Sequence, residues 1–238
     1  MSTARGESLG LLEILSAEPD AFRPEDLALA SLLAESCSAT LERAARVEKL
    51  VFIDALTGIY NRSYYEIQVE NEMARARREG SSMALCIADI DDFKWFNTNF
   101  GYDAGNRVIT QVAQALRGAV RPFDTVARWG GEEFVVLLSA PVQSHDVATV
   151  SERLRTAVSR EAMTVRGLDG EPHGMIVTVS IGVALFPDHQ ATAAALWNAA
   201  NKALLEAKQP PKNQVKFFRP GSLRVEQPGL TPERRQGT

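Results

Sequence analysis

The apolar positions divide the chain into segments of different period. Leu11 to Leu15, in GLLEILSAEPDAF, read as a short strand followed by a loop. From Pro24 the period becomes helical. Proline suits a first helical turn, and Glu25 and Asp26 suit its positive end. Ala30, Leu33, Cys37, Thr40, Ala44, Val47 and Val51 recur at alternating steps of three and four, a heptad-like stripe. Cys and Thr interrupt that seam, so a helix packed on a neighbour fits it as well as a dimerising stalk does. Gly58 in DALTGIYNR breaks this helix, and a second spans Ser63 to Glu79 and stops at Gly80. MALCIADI, Met83 to Ile90, has the length and flanks of a buried strand. DDFKWFNTNFGYDAGNRVI follows as a polar-aromatic segment. Its second half opens a helix with Val108, Ile109, Val112, Leu116 and Val120 on one face, ended by RPFD.

TVARW and FVVLL flank GGEE and read as a hairpin. Val147, Val150, Leu154 and Val158 mark a further helix, and GMIVTVSIGVALFP reads as one long strand ending at Pro187. Leu196, Ala200, Ala203, Leu204 and Ala207 mark a last helix, stopped by Pro210 and Pro211. NQVKFF reads as an edge strand, and the tail from Pro220 as disordered. Helices alternate with strands, but one strand pair is a hairpin. The expected class is therefore α+β: a mixed, largely antiparallel sheet flanked by helices, not a doubly wound parallel sheet.

Composition narrows the function classes. The 238 residues are 45% hydrophobic and 24% charged, as in a soluble globular chain. A net charge of −4 gives no case for nonspecific nucleic-acid binding. Cys37 and Cys86 each sit in an apolar pattern and read as small core residues, which suits a reducing cytosol. No run of membrane-spanning length and no signal-peptide pattern is present, so the expected location is cytoplasmic, with no membrane contact in this stretch.

Asp89 closes the strand MALCIAD, and Glu132 and Glu133 lie at the hairpin tip. If the hairpin lies beside that strand, the three carboxylates converge, and converging carboxylates repel unless a cation lies between them. Oxygen ligands with no nearby His or Cys suit Mg²⁺ or Mn²⁺, and magnesium on carboxylates points to a phosphate substrate. Gly130 and Gly131 would let backbone approach a polyphosphate. Taken alone, GGEE is read more readily as a plain solvated turn with surface glutamates.

Five strings, in order, resemble the motifs of the GGDEF family of diguanylate cyclases: DALTGIYNR, DIDDFKWFN (Asp89 to Asn97), GGEEF (Gly130 to Phe134), VSIGVA (Val179 to Ala184) and ALLEAK (Ala203 to Lys208). The match covers Asp54 to Phe218. The resemblance implies a nucleotide-cyclase or polymerase-palm-like fold. It also implies an enzyme that joins two GTP molecules into cyclic di-GMP with release of pyrophosphate. It divides the chain into a stalk helix over 24–53, a catalytic domain over 54–219 and a tail over 220–238. GLLEILSAEPDAFRPEDLALASLLA, from Gly10 to Ala34, resembles the closing strand and helix of a GAF sensory domain, which makes 1–23 a remnant of one.

By the same resemblance, Asp89, Glu132 and the Ile90 carbonyl bind the metal, Glu133 is a further carboxylate, and Glu132 accepts the proton of the attacking hydroxyl. Lys94 stabilises phosphate charge, backbone N–H groups around Asp92 and Phe93 hold phosphate oxygens, and Lys208 and Lys212 grip the outer phosphates. The family has arginine where Lys212 stands. Asn97 matches a guanine-recognising asparagine. Asn106 stands where the family usually has aspartate, and its amide offers a donor as well as an acceptor, so it can also pair with adenine. Mixed cyclic GMP-AMP from GTP and ATP is therefore an alternative product. RPFD matches the RxxD inhibitory site, with Arg121 and Asp124 binding product and Arg153 a secondary contact. Two chains, each presenting one nucleotide, are needed for a symmetric product. An inactive receptor of cyclic di-GMP is the rival outside the enzyme class.

Overall fold

The structure, a computed structural model, describes residues 10–18, 21–160, 162–167, 170–188 and 191–220. The tail from 221 and residues 1–9 of the segment expected to be a GAF remnant lie outside the described residues.

Helix α1 (Pro24–Phe52) leads to a short strand β1 (Tyr60–Asn61) and helix α2 (Arg62–Glu79). Strand β2 (Met83–Ile90), helices α3 (Phe93–Phe100) and α4 (Tyr102–Gly118), and the hairpin β3 (Thr125–Gly130) and β4 (Glu133–Leu138) follow. Then come α5 (Ser144–Ser159), β5 (Met163–Arg166), β6 (Pro172–Met175), β7 (Val179–Phe186), α6 (Ala193–Ala207) and β8 (Val215–Phe217). Six strands form one sheet in the order β1-β3-β4-β2-β7-β8, and β5 pairs with β6 separately. The pairs β3-β4, β4-β2 and β2-β7 are antiparallel, and the outer strands β1 and β8 pair in parallel. The mixed, largely antiparallel sheet expected above is what forms.

Both faces of this sheet are covered, which explains why β2 is apolar at almost every position rather than alternating. Ala84, Cys86, Ala88 and Ile90 join one core with Val108, Val112 and Leu116 of α4 and Leu154 of α5. Met83, Leu85 and Ile87 join the other, with Tyr65, Val69 and Met73 of α2 and Leu196, Ala200 and Leu204 of α6. Gly182 lets α6 lie directly on β7. A Cβ there would stand 2.2 Å from the Ala200 carbonyl oxygen.

Four readings of the chain need correction. Leu11 to Leu15 form no strand, and Leu11 and Leu15 are exposed; no strand among the described residues lies alongside to pair with them. Cys37 is exposed, because most of α1 stands clear of the sheet, whereas Cys86 is buried as expected. The run GMIVTVSIGVALFP is two strands in different sheets. It breaks between Met175 and Val179, where the Thr178 carbonyl accepts the Asp91 N–H instead of a ladder partner. Helix α4 ends at Gly118, before RPFD, which forms a separate turn.

Candidate active site

The register of β2 determines what meets at its C-terminal end. Asp89 follows Met83, Leu85 and Ile87 at two-residue steps and so points to the α2/α6 face. Glu133 of β4 is its direct cross-strand partner, and it shares the face of Val135 and Leu137. Like charges directly opposed across a ladder destabilise a sheet. Glu132 is next in the chain, and its carbonyl accepts the Ile90 N–H at 3.3 Å. Hairpin and strand end therefore lie side by side, as the convergence of the three acidic positions required.

Asp89 is only 4% exposed. Burial pushes its carboxyl up, the hydrogen bond and charge of Lys208 pull it down, and Glu132 and Glu133 push it up again, to about 6. Lys208 caps the C-terminus of α6, and its ammonium lies 2.6 Å from Asp89 Oδ2. Among the described residues, no three His, Cys, Asp or Glu side chains stand close enough to form a metal cage. The donors nonetheless suit a hard cation: they are carboxylate oxygens, one is buried, and two glutamates raise the cost of its charge. A divalent ion would relieve that repulsion.

Asp92 has φ +56°, a left-handed conformation rare for a residue with a side chain, and α3 starts immediately after it. The first N–H groups of such a helix have no intrahelical acceptor, so the turn at Asp92 and Phe93 presents donors beside Asp89. Phe93 itself is buried, Lys94 is exposed in the first turn of α3, and Lys212 Nζ lies 2.7 Å from Asp92 Oδ1. This hydrogen bond raises the Lys212 pKa.

Further along α3, Asn97 Oδ1 is buried without a hydrogen-bond partner. A Cβ on Gly105 would stand 1.9 Å from that oxygen, so only glycine leaves room for it. Asn106, exposed, follows directly. An orphaned acceptor of this kind suits a donor-rich base edge.

Gly130 and Gly131 are exposed at the hairpin tip, Gly131 with φ +50°. Their conformation is held from a distance. Arg128 donates from Nε (3.0 Å) and Nη2 (2.8 Å) to the Gly131 carbonyl, and its Nη1 lies 3.3 Å from Asp54 Oδ1. Burial raises the Asp54 carboxyl, but two hydrogen bonds from Thr57 and the Arg128 charge outweigh it and leave its pKa below the usual range. The Asp54–Arg128 clamp was not singled out in the sequence. The acid and the base are 74 residues apart, and only the parallel pairing of β1 with β3 brings them together.

Arg121 and Asp124 lie away from this cluster, on the turn before β3. Arg121 is exposed, and Asp124 is buried. The Asp124 carboxylate accepts the N–H groups of Arg121 (3.0 Å) and Ser139 (3.1 Å), so it fastens the turn to the end of β4. Arg153 Nε donates to the Ala119 carbonyl at 2.8 Å.

Residues 51–214 match the family model described as "Diguanylate cyclase, GGDEF domain". The chain is 37% identical over 163 residues to diguanylate cyclase DgcP of Pseudomonas aeruginosa and 35% identical over 170 residues to response regulator PleD of Caulobacter vibrioides. These matches take 68% and 70% of this chain but 23% and 36% of the relatives. Among solved structures, the coiled coil and GGDEF domain of DgcB from Caulobacter crescentus, in complex with c-di-GMP, aligns with a TM-score of 0.69 at 28% identity. It covers 82% of this chain and 100% of that one. The GGDEF domain of YfiN from Pseudomonas aeruginosa aligns with a TM-score of 0.62 at 30% identity, covering 68% and 98%. The chain belongs to the GGDEF diguanylate cyclase family.

Proposed function

We propose that this chain is the synthetic unit of a diguanylate cyclase, joining two GTP into cyclic di-GMP. The carrying observation is the cross-strand pairing of Asp89 with Glu133, with Glu132 alongside. Bound Mg²⁺ or Mn²⁺ would neutralise phosphate charge and lower the pKa of the attacking 3′-hydroxyl. Asp89, Glu132 and the Ile90 carbonyl would hold it, with Glu133 adjacent. Glu132, at the tip, takes the hydroxyl proton. Lys94 offsets charge growing on the α-phosphate. The turn at Asp92 and Phe93 donates N–H groups to phosphate oxygens, and Lys208 and Lys212 bind the outer phosphates once released from their carboxylates. Gly130 and Gly131 leave room for the nucleotide, and Asn97 accepts from guanine.

Two chains must face each other for two bonds to form. The exposed seam of α1, with Leu33, Val47 and Val51 open to solvent, supports pairing of the helices. Product binding at Arg121 and Asp124, with Arg153 as a secondary contact, would restrain the enzyme. The DgcB domain, solved in complex with c-di-GMP, supports cyclic di-GMP as the bound species. The segment before Pro24 suits a GAF-type sensor upstream. Among the described residues no helix is long and apolar enough to cross a membrane, and a reaction that consumes GTP suits the cytoplasm.

A second reading rests on Asn106. Its exposed amide, beside the orphaned Asn97 oxygen, accepts from guanine N1–H or N2–H₂ but also matches the N6–H₂ and N1 of adenine. Chromatography of products from equal GTP and ATP with Mg²⁺ decides between them. A mixed cyclic GMP-AMP peak beside cyclic di-GMP supports relaxed base choice, and Asn106→Asp should shrink that peak roughly tenfold. Cyclic di-GMP alone removes the mixed-product reading.

A further inference from the structure

The middle carboxylate of DIDD, Asp91, lies between two residues assigned above and has no role in that scheme. Its position is unusual in what it ties together. Asp91 Oδ1 accepts the Ser180 hydroxyl at 2.7 Å. Asp91 Oδ2 accepts the Thr178 hydroxyl at 2.7 Å and the Asn213 N–H at 3.0 Å. Its own N–H donates to the Thr178 carbonyl at 2.9 Å. Ser180, fully buried, has its hydroxyl 3.1 Å from the Ala207 carbonyl at the end of α6 and 3.3 Å from the Asn213 N–H.

These contacts bracket one segment. Ala207 immediately precedes Lys208, and Asn213 immediately follows Lys212. Asn213 is itself in the left-handed conformation, φ +60°, and its side chain accepts from Arg155 Nη1 at 2.9 Å. Asp91 thus pins the segment 207–213 directly at Asn213, and the Ser180 hydroxyl whose single proton it takes lies against the Ala207 carbonyl at the other end. Between these ends, the segment's two lysines reach back to the neighbours of Asp91 in sequence: Lys208 to Asp89 and Lys212 to Asp92.

We propose that Asp91 is a positioning residue, which sets Lys208 and Lys212 for the outer phosphates of a nucleoside triphosphate. It does this without touching substrate or metal. The inference rests on the cyclase reading above, which gives the lysines their phosphates, and goes beyond it in assigning Asp91. Its chemistry suits the task. A carboxylate that accepts from two hydroxyls and a backbone N–H has its oxygens committed to protein donors, which holds its geometry when ligands change nearby. The lysines, by contrast, hold single-point contacts on side chains 37% exposed. They can exchange a carboxylate for a phosphate oxygen while the segment that carries them stays fixed. Pre-set cations bind a flexible triphosphate without the cost of ordering the loop.

The test separates the outer phosphates from the rest of the nucleotide. Calorimetry with Mg²⁺ compares the α,β-methylene analogue of GTP, which cannot release pyrophosphate, with GMP, which lacks the outer phosphates. Asp91→Ala should weaken the analogue about tenfold and leave GMP within about twofold of the parent. Thr178→Val, which removes one hydroxyl at the rim and keeps the fold should Asp91→Ala lose it, should weaken the analogue alone, by about threefold. Parallel losses for both nucleotides, or an unchanged analogue affinity, would overturn the inference while leaving the cyclase reading standing. A parent chain that binds neither nucleotide would overturn both.

Discussion

Glu132→Ala is expected to cut pyrophosphate release from GTP by roughly 10³-fold or more, while the chain stays folded and still binds cyclic di-GMP. Loss of both a metal ligand and the proton acceptor accounts for the size. The fold should tolerate the change because Glu132 contributes to the sheet through its backbone, whose carbonyl accepts the Ile90 N–H, and alanine keeps that bond. Its side chain is part-exposed at the tip, away from Arg121 and the turn fastened by Asp124. A continuous pyrophosphate assay and calorimetry with cyclic di-GMP read the two properties separately. A receptor that signals only through the Arg121 turn would show no pyrophosphate release before or after the substitution. Parent-like turnover by the variant would show that the carboxylate cluster is not the reacting centre.

Asp89→Asn is expected to act with opposite signs on activity and stability. Turnover should fall by at least about 10²-fold, since a charged ligand becomes a neutral amide. Stability should rise near neutral pH. An ordinary aspartate ionises near 3.8, whereas Asp89 in the fold holds its proton to about 6. The unfolded chain therefore ionises first. What Asp89 contributes to stability is fully present below pH 3.8 and lost as pH rises through 6. Above that, the folded protein carries a buried anion beside Glu132 and Glu133. Asparagine removes this penalty, and the lost Lys208 pairing offsets part of the gain. In chelator at about pH 7.5 the variant should melt roughly 2–5 °C above the parent, with the difference vanishing near pH 4. Mg²⁺ should raise the parent's melting temperature and not the variant's. A variant less stable than the parent at both pH values would mean that Lys208 neutralises the site more completely than burial and the glutamates perturb it.

Much of this arrangement was legible along the chain, for identifiable reasons. Strand β2 could be bounded to the residue because a sheet covered on both faces leaves an unbroken apolar run between polar flanks. The hairpin followed from glycines between two such runs, and Asp89 and the two glutamates from their places at strand ends. Other features depended on partners distant in sequence. Nothing in the apolar pattern marks Val177 as the place where the chain leaves one sheet for another. The break is made by Asp91, which takes the backbone and hydroxyl of Thr178. Cys37 sits in an apolar pattern yet is exposed, because periodicity reports a face and not whether this chain covers it. Arg128 reads as a strand residue until Asp54 and Gly131 are seen on either side of its guanidinium. Lys208 and Lys212 were placed near phosphates by motif alone, and their pairing with Asp89 and Asp92 could not be read from spacing across more than a hundred residues.

The most direct measurement is the product balance of the unmodified chain incubated with GTP and Mg²⁺ alone. Mass spectrometry of the separated products should show cyclic di-GMP, with two pyrophosphates released for each molecule formed and none when the metal is chelated. GTP bound but recovered intact, or pyrophosphate released without a cyclic dinucleotide, would contradict synthesis at the Asp89–Glu132 cluster.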